Sequence, residues 1–263
     1  MRPLLAALLA MLSAPIAGSA MAQARTPDVL RVAANDANGQ PFVLYDEKMR
    51  LRGGLARDIM DHLSARLGLK PVYINLPRAR VEPWLREGRV DAACFLAPDW
   101  VREPKRLRWS PILFHIRQVI VSPPDSAPVT GPRSLYGKRV GTLLNYHYPE
   151  LAPYFADRRV LRADAPSFAS NIAKLERGRI DAFLNDDLAS LFAVENGGLP
   201  ADIRIDALWA PENPVYCAFS PEFARRSQQW RPVLQEAVDA GRMQRWISAY
   251  TGGRRVAGSE KKP

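Results

Sequence analysis

The chain's chemistry-bearing side chains are three histidines, two cysteines and a surplus of arginine. A general acid or base needs a group that exchanges a proton near neutral pH within reach of the reacting atom. His62 lies in a helical pattern and reads as a surface residue, and His147 reads as an exposed loop residue. His115 is the one histidine worth testing for such a role. No Ser-His-Asp order, metal cluster or phosphate-binding glycine loop is present, and Cys94 and Cys217 lack metal-site spacing. Arginine offers different chemistry: its planar fork makes two parallel hydrogen bonds to a carboxylate. Asp186 and Asp187 precede "LASLFAVENG" and have the position of helix-capping carboxylates.

The first segment, "MRPLLAALLAMLSAPIAGSAMA", has an early cation, a short apolar run and small residues before Ala22. It reads as a Sec signal peptide over residues 1–22. The run is too short, and too broken by Ser13 and Pro15, to span a bilayer, so the chain is expected not to be membrane-anchored. Export to the periplasm follows, and an oxidising compartment permits a disulfide between Cys94 and Cys217. The formal charge of +10 falls to +9 without Arg2, and the tail "RRVAGSEKKP" carries +3 of that, leaving +6 on the body. With no aromatic-basic stripe, nucleic acid is not an expected partner. No cofactor is implied.

The elements that must position these residues come from a repeated phrase. "LREGRVDAACF" (85–95) and "LERGRIDAFLN" (175–185) stand about ninety residues apart. Before them, Val81, Trp84 and Leu85, and then Phe168, Ile172 and Leu175, have helical spacing; the second helix follows a start signal at Asp164 and Pro166. Gly88 and Gly178 sit where a helix end needs positive φ. Val90–Phe95 and Ile180–Leu184 follow as short apolar runs, the mark of buried strands. Upstream strands are read at Val29–Ala34 and from about Arg139, with a long helix over "GLARDIMDHLSARLGL" and a strand at "PVYINL". This β-α-β-α-β order predicts an α/β chain of two lobes, each an open, mostly parallel sheet flanked by helices. The Asp and Arg of the phrase fall at strand starts and read as structural. Ligands bind beyond the carboxyl ends of such strands, so two facing edges would enclose a cleft. "IRQVIVS" reads as a strand leaving lobe one and "NPVYCAF" as one returning, giving a two-strand hinge. Lobe one is expected over 25–121 plus 215–253, lobe two over 122–214, and a disordered basic tail over 254–263.

In the order and spacing of "LRVAANDANGQPF", "LRGGLARDIMDHLSARLGL", "GRVDAACF", "RLRWSPILF", "LYGKRVGTLL", "GRIDAFLNDD" and "AVDAGRMQRWISAYTG", the chain resembles the family 3 extracellular solute-binding proteins. These are periplasmic receptors for polar amino acids that serve ABC importers. The resemblance implies a type II periplasmic binding protein fold, a monomer, and an ABC permease as partner. It implies that Arg102 binds the ligand α-carboxylate and Asp186 the α-amino group. The loop "LLNYHYPEL" would add backbone N–H groups with Asn145 and Tyr146. Asp36 and Arg78 stand where the family often has aromatics nearby, so charge and amide groups replace aromatic surface. That suggests a smaller or more anionic ligand. The family's returning strand runs antiparallel beside the inner strand of lobe one, which would bring Cys94 and Cys217 close, bonded or not.

The leading expectation is therefore a non-enzymatic binding protein for a small polar, carboxylate-bearing ligand, an amino acid or related organic acid. Two alternatives remain. One is an enzyme on the same fold, as in relatives that dehydrate cyclohexadienyl acids. The other is a ligand-sensing or accessory protein without a transporter.

Overall fold

The computed structural model describes residues 28–144 and 146–256. The expected signal peptide, Asn145 and residues 257–263 lie outside the described residues. In chain order the elements begin with β1 (Val29–Ala34), β2 (Leu44–Tyr45), β3 (Leu51–Gly53), α1 (Leu55–Leu67), β4 (Lys70–Asn75), α2 (Arg78–Arg86) and β5 (Ala92–Leu96). There follow β6 (Arg108–Trp109), β7 (Phe114–Ile116), β8 (Gln118–Ser122), β9 (Arg139–Leu143), α3 (Ala152–Ala156), β10 (Leu161–Ala165), α4 (Phe168–Glu176), β11 (Ala182–Asp186) and α5 (Asp187–Glu195). The chain continues through β12 (Arg204–Ala207), β13 (Asn213–Phe219), α6 (Pro221–Arg226), α7 (Trp230–Asp239) and α8 (Arg242–Thr251).

Two sheets result, one per lobe. The first has the order β4-β1-β5-β13-β6, with β7 also on β13; the second has the order β10-β9-β11-β8-β12. In each, three strands run parallel, β4-β1-β5 and β10-β9-β11, and an antiparallel strand lies beside the inner one. Strand alternation divides each core across two faces. Leu30, Val32 and Ala34 face α1 and α7, while Ala33 faces α2 with Val81 and Leu85. In the second sheet Val119, Val121 and Phe183 pack on one side, and Ile120, Val140 and Leu184 on the other.

The repeated phrase does the same work in both lobes. Asp91 accepts a hydrogen bond from the backbone N–H of Arg31 at 2.8 Å, and Asp181 from that of Arg139 at 2.6 Å. Their own N–H groups donate back to the carbonyls of Arg31 and Arg139. Each Asp thus ties its inner strand to the start of the lobe's first strand, on the edge away from the strands' carboxyl ends. Gly88 (φ 67°) and Gly178 (φ 61°) end the preceding helices in the left-handed conformation. The second of these helices is capped by Ser167, which accepts from Ser170 N–H, not by Asp164 or Pro166. Ser167 has the short hydroxyl that reaches a third-residue N–H; Asp164 instead pairs with Arg162 and Thr142.

Three further sequence readings need correction. The run "IRQVIVS" is two strands: β7 pairs with β13, whereas β8 pairs with β11 and β12. The chain therefore leaves lobe one at Arg117, not near residue 121; Arg117 and Gln118 read as ordinary strand residues and gave no sign of the change of sheet. The expected tail also begins too early, because Arg254 pairs with Glu195 and Val256 is buried against lobe two. His62 is not simply a surface residue: its Nε2 is buried without a hydrogen-bond partner among the described residues, and its ring lies edge-on to Trp246. Cys94 and Cys217 are opposed in antiparallel register and joined by a disulfide.

Candidate functional site

The register fixes where the carboxyl ends of the strands lie. Tyr216 in the returning β13 opposes Leu96 at the end of β5, and Asp186 at the end of β11 opposes Gln118 at the start of β8. Both sets of carboxyl ends therefore sit at the crossings between lobes, Arg117 and Glu212–Asn213. They form two rims beside one hinge.

The rim of lobe one is built from three turns. After β1, buried Asn35 caps the turn Asp36–Asn38 by accepting from Ala37 N–H at 3.1 Å. After β4, Pro77 fixes the entry to α2, and Arg78 is its first residue. A small recess here is lined by Asn35, Asn38, Arg78, Ala93 and Cys94. Near the end of β5 the strand bulges: Phe95 has a positive φ of 63° and no partner on β13, whose register skips it. Its ring is anchored between Phe42 and Phe114. A bulge bends a strand end and so redirects the chain beyond it. Here it leads into the turn Pro98–Trp100, whose last carbonyl accepts from Arg78 Nη2 at 3.2 Å. Trp100, which no sequence cue singled out, is 44% exposed at this rim.

Arg102 lies in the same loop. The carboxylate of Glu82, on α2, accepts from the backbone N–H groups of Arg102 at 3.2 Å and Glu103 at 3.0 Å, pinning the loop to the helix. The Arg102 side chain is exposed and makes no hydrogen bond or ion pair among the described residues. Asp36 is exposed at the neighbouring turn. Arg102, Arg78 and Asp36 thus share one rim.

Asp186 lies on the opposite rim. Its carboxylate caps α5 by accepting from Ala189 N–H at 2.7 Å. Burial, reinforced by the neighbouring charge of Asp187, pushes it up to about 7. Asp187 is pushed up to about 6, again chiefly by burial. Its Oδ1 accepts from the backbone N–H of Arg117 at 3.2 Å, and its own N–H donates to the Arg117 carbonyl at 2.9 Å. The Arg117 guanidinium forms an ion pair with Glu212, linking the two crossings to each other. Arg117 and Glu212 escaped the sequence reading because each acts through the crossing geometry; Asp187 was read only as one of a capping doublet, and that doublet before a helix was the one signal for its place here.

Tyr146 lies on the loop after β9. It is 55% exposed, and its carbonyl accepts from Arg162 Nη2 at 3.0 Å. Leu144 beside it is equally exposed. Among the described residues no hydrogen bond joins the loops of one rim to those of the other, and Trp100, Leu144 and Tyr146 are exposed. His115 is exposed on β7, opposite Pro214. No group of three or more potential metal ligands occurs among the described residues, and no described helix is long and apolar enough to cross a membrane.

The arrangement suits capture of a small polar molecule: guanidinium groups on one rim, a carboxylate with no ion pair among the described residues on the other, and a hinge between. No family model matches the chain, and a search of curated proteins finds no match. Solved structures do match. An ancestral arginine-binding protein bound to arginine aligns with a TM-score of 0.64 at 22% identity, over 84% of this chain and 97% of its own. An ancestral amino-acid-binding protein described as a precursor of cyclohexadienyl dehydratase aligns at 0.64 and 18% identity, over 85% and 95%. The second substrate-binding domain of Lactococcus lactis GlnP, in an open conformation, aligns at 0.66 and 13% identity, over 88% and 98%. With its two sheets and paired crossings, the chain has the two-lobed type II periplasmic binding protein fold found in amino-acid-binding proteins and in substrate-binding domains of amino acid ABC transporters.

Proposed function

We propose that this protein is a periplasmic solute-binding protein of the family 3 type that closes its lobes over a small zwitterionic ligand, an α-amino acid or near relative, for an ABC importer. The observation that carries the reading is Asp186. It is a carboxylate at the hinge with backbone partners only among the described residues, held near 7 by burial, and the rim across the hinge carries guanidinium groups with no acidic partner among the described residues. A ligand ammonium beside Asp186 supplies the missing counter-charge and draws the carboxyl back to its ionised form. A ligand carboxylate takes the forked N–H groups of Arg102 or Arg78. Neither group binds well alone, because each rim sits at the far side of an open cleft; a molecule carrying both charges rewards closure. Arg117, tied to Asp187 and Glu212, keeps the two crossings in register as the lobes rotate.

Thermal-shift screening of the mature chain against amino acids, dicarboxylates and related small acids tests the proposal. A ligand that binds only the folded state raises Tm with the logarithm of its concentration. Stabilisation by α-amino acids supports the reading, and none by any of them defeats it. A second reading is carried by the same carboxyl: a group near 7 can act as a general acid, and one structural neighbour is described as the precursor of a dehydratase. Incubation with a cyclohexadienyl acid decides between them, since growth of aromatic ultraviolet absorbance would contradict a role in binding alone.

A further inference from the structure

Behind the hinge, the two lobes meet a second time. Helix α5 starts at the rim of lobe two, yet Leu188 in its first turn packs into the core of lobe one. Phe192, one turn on, has its ring 6.3 Å from that of Tyr250 on α8. Tyr250 is itself fixed in lobe one, where its hydroxyl accepts from Gly54 N–H at 2.9 Å at the start of α1. At the end of α5, Glu195 pairs with Arg254 at 3.7 Å. Between α8 and Arg254 lie Gly252 and Gly253, both with positive φ, and the Glu195 carboxylate leaves no room for a Cβ at Gly252. Two residues beyond Arg254, Val256 is only 6% exposed and sits in the core of lobe two with Leu191 and Val194. The chain therefore crosses between lobes a third time, at a diglycine, and reaches a buried anchor.

We propose that Arg254–Val256 is a latch that holds the lobes in the open arrangement. Leu144, Tyr146 and Trp100 of the rims are exposed in the structure that displays these contacts, as an open cleft leaves them. Contacts that exist while the cleft is open favour that state over any state that loses them. The hinge crossings alone let the lobes rotate; the third crossing ties α8 to the far end of α5, so closure must strain the diglycine or unseat Val256. The inference rests on the reading of the lobes as mobile, and its test is independent of the ligand.

Nitroxide labels at Asp99→Cys and His147→Cys, one on each rim, report the cleft by pulsed dipolar distances; the native cysteines are bonded to each other and take no label. The chain ending at Gly253 and the full chain carrying Val256→Asp are compared with the intact protein, all free of ligand and all checked for native circular dichroism. Release is expected to raise the ratio of short to long distances by about tenfold, the factor that burial of one valine side chain supplies. A distribution in either folded variant that superposes on the intact one, or that moves to longer distances, overturns the latch. Failure of lobe closure itself shows separately, as an intact protein whose distances do not shorten with saturating amino acids.

Discussion

Replacing Asp186 by asparagine separates the two demands on that residue. The amide oxygen can still accept from Ala189 N–H, so the cap on α5 survives, while the titrating group is gone. The wild-type carboxyl ionises near 3.8 when unfolded and near 7 when folded. Between those values the folded chain holds a proton that the unfolded chain has lost, so stability falls as pH rises through the window. The slope is about 1.4 kcal/mol for each pH unit inside the window, and the loss from pH 5 to pH 8 is roughly 2–3 kcal/mol. Urea denaturation of the ligand-free proteins at both pH values should show Asp186→Asn gaining on wild type by that amount. In a chain of this size the gain corresponds to roughly 5–10 °C in Tm. Ligand binding should move the other way: at pH 8 the variant loses at least about tenfold in affinity for an amine-bearing ligand, the value of one modest charge-assisted bond. A gap between variant and wild type that stays constant with pH would refute the placement of a desolvated carboxylate without a counter-charge at the hinge. So would an unchanged affinity.

Arg102→Ala should weaken binding by roughly 2–5 kcal/mol in a calorimetric titration, as for loss of one partner of a buried charge pair, and Arg102→Lys should restore only part because the fork is lost. Wild-type affinity in Arg102→Ala would move the carboxylate to Arg78, which lines the recess. Thiol titration of denatured, unreduced protein should find no free thiol, and the double variant Cys94→Ala with Cys217→Ala should lose roughly 2–4 kcal/mol while still closing on ligand. Asp91→Ala should cost roughly 1–3 kcal/mol in urea denaturation, because it leaves the Arg31 N–H without its buried acceptor and removes the partner of the half-exposed guanidinium groups of Arg31 and Arg226; the more exposed Asp181→Ala should cost less.

The architecture was legible because it is written in local patterns. The doubled phrase marked two lobes, Gly88 and Gly178 marked helix ends, and the apolar runs marked the inner strands. The carboxylates Asp91 and Asp181 read as structural from their place at strand starts, and their reciprocal bonds to β1 and β9 show why. What remained hidden is non-local. A residue such as Arg117 looks like one more cation in a strand until the sheets separate on either side of it. The bulge at Phe95 leaves no trace in composition, yet it directs the turn that carries Trp100 and leads to Arg102. The tail looked featureless because charge dominates it; one valine among Arg, Lys and Ser carries no periodicity, and only the groove of lobe two gives Val256 a place.

The central claim is that the cleft recognises both ends of a zwitterion. It is tested most directly by calorimetric titration, at pH 8, of the most stabilising α-amino acid from the thermal screen against its carboxamide and its α-hydroxy acid. The amide removes the charge meant for the arginine rim, and the hydroxy acid removes the charge meant for Asp186. Each analogue should bind at least about tenfold more weakly than the parent, the size of one charge-assisted hydrogen bond. A hydroxy acid or an amide that binds as tightly as the amino acid would contradict the account.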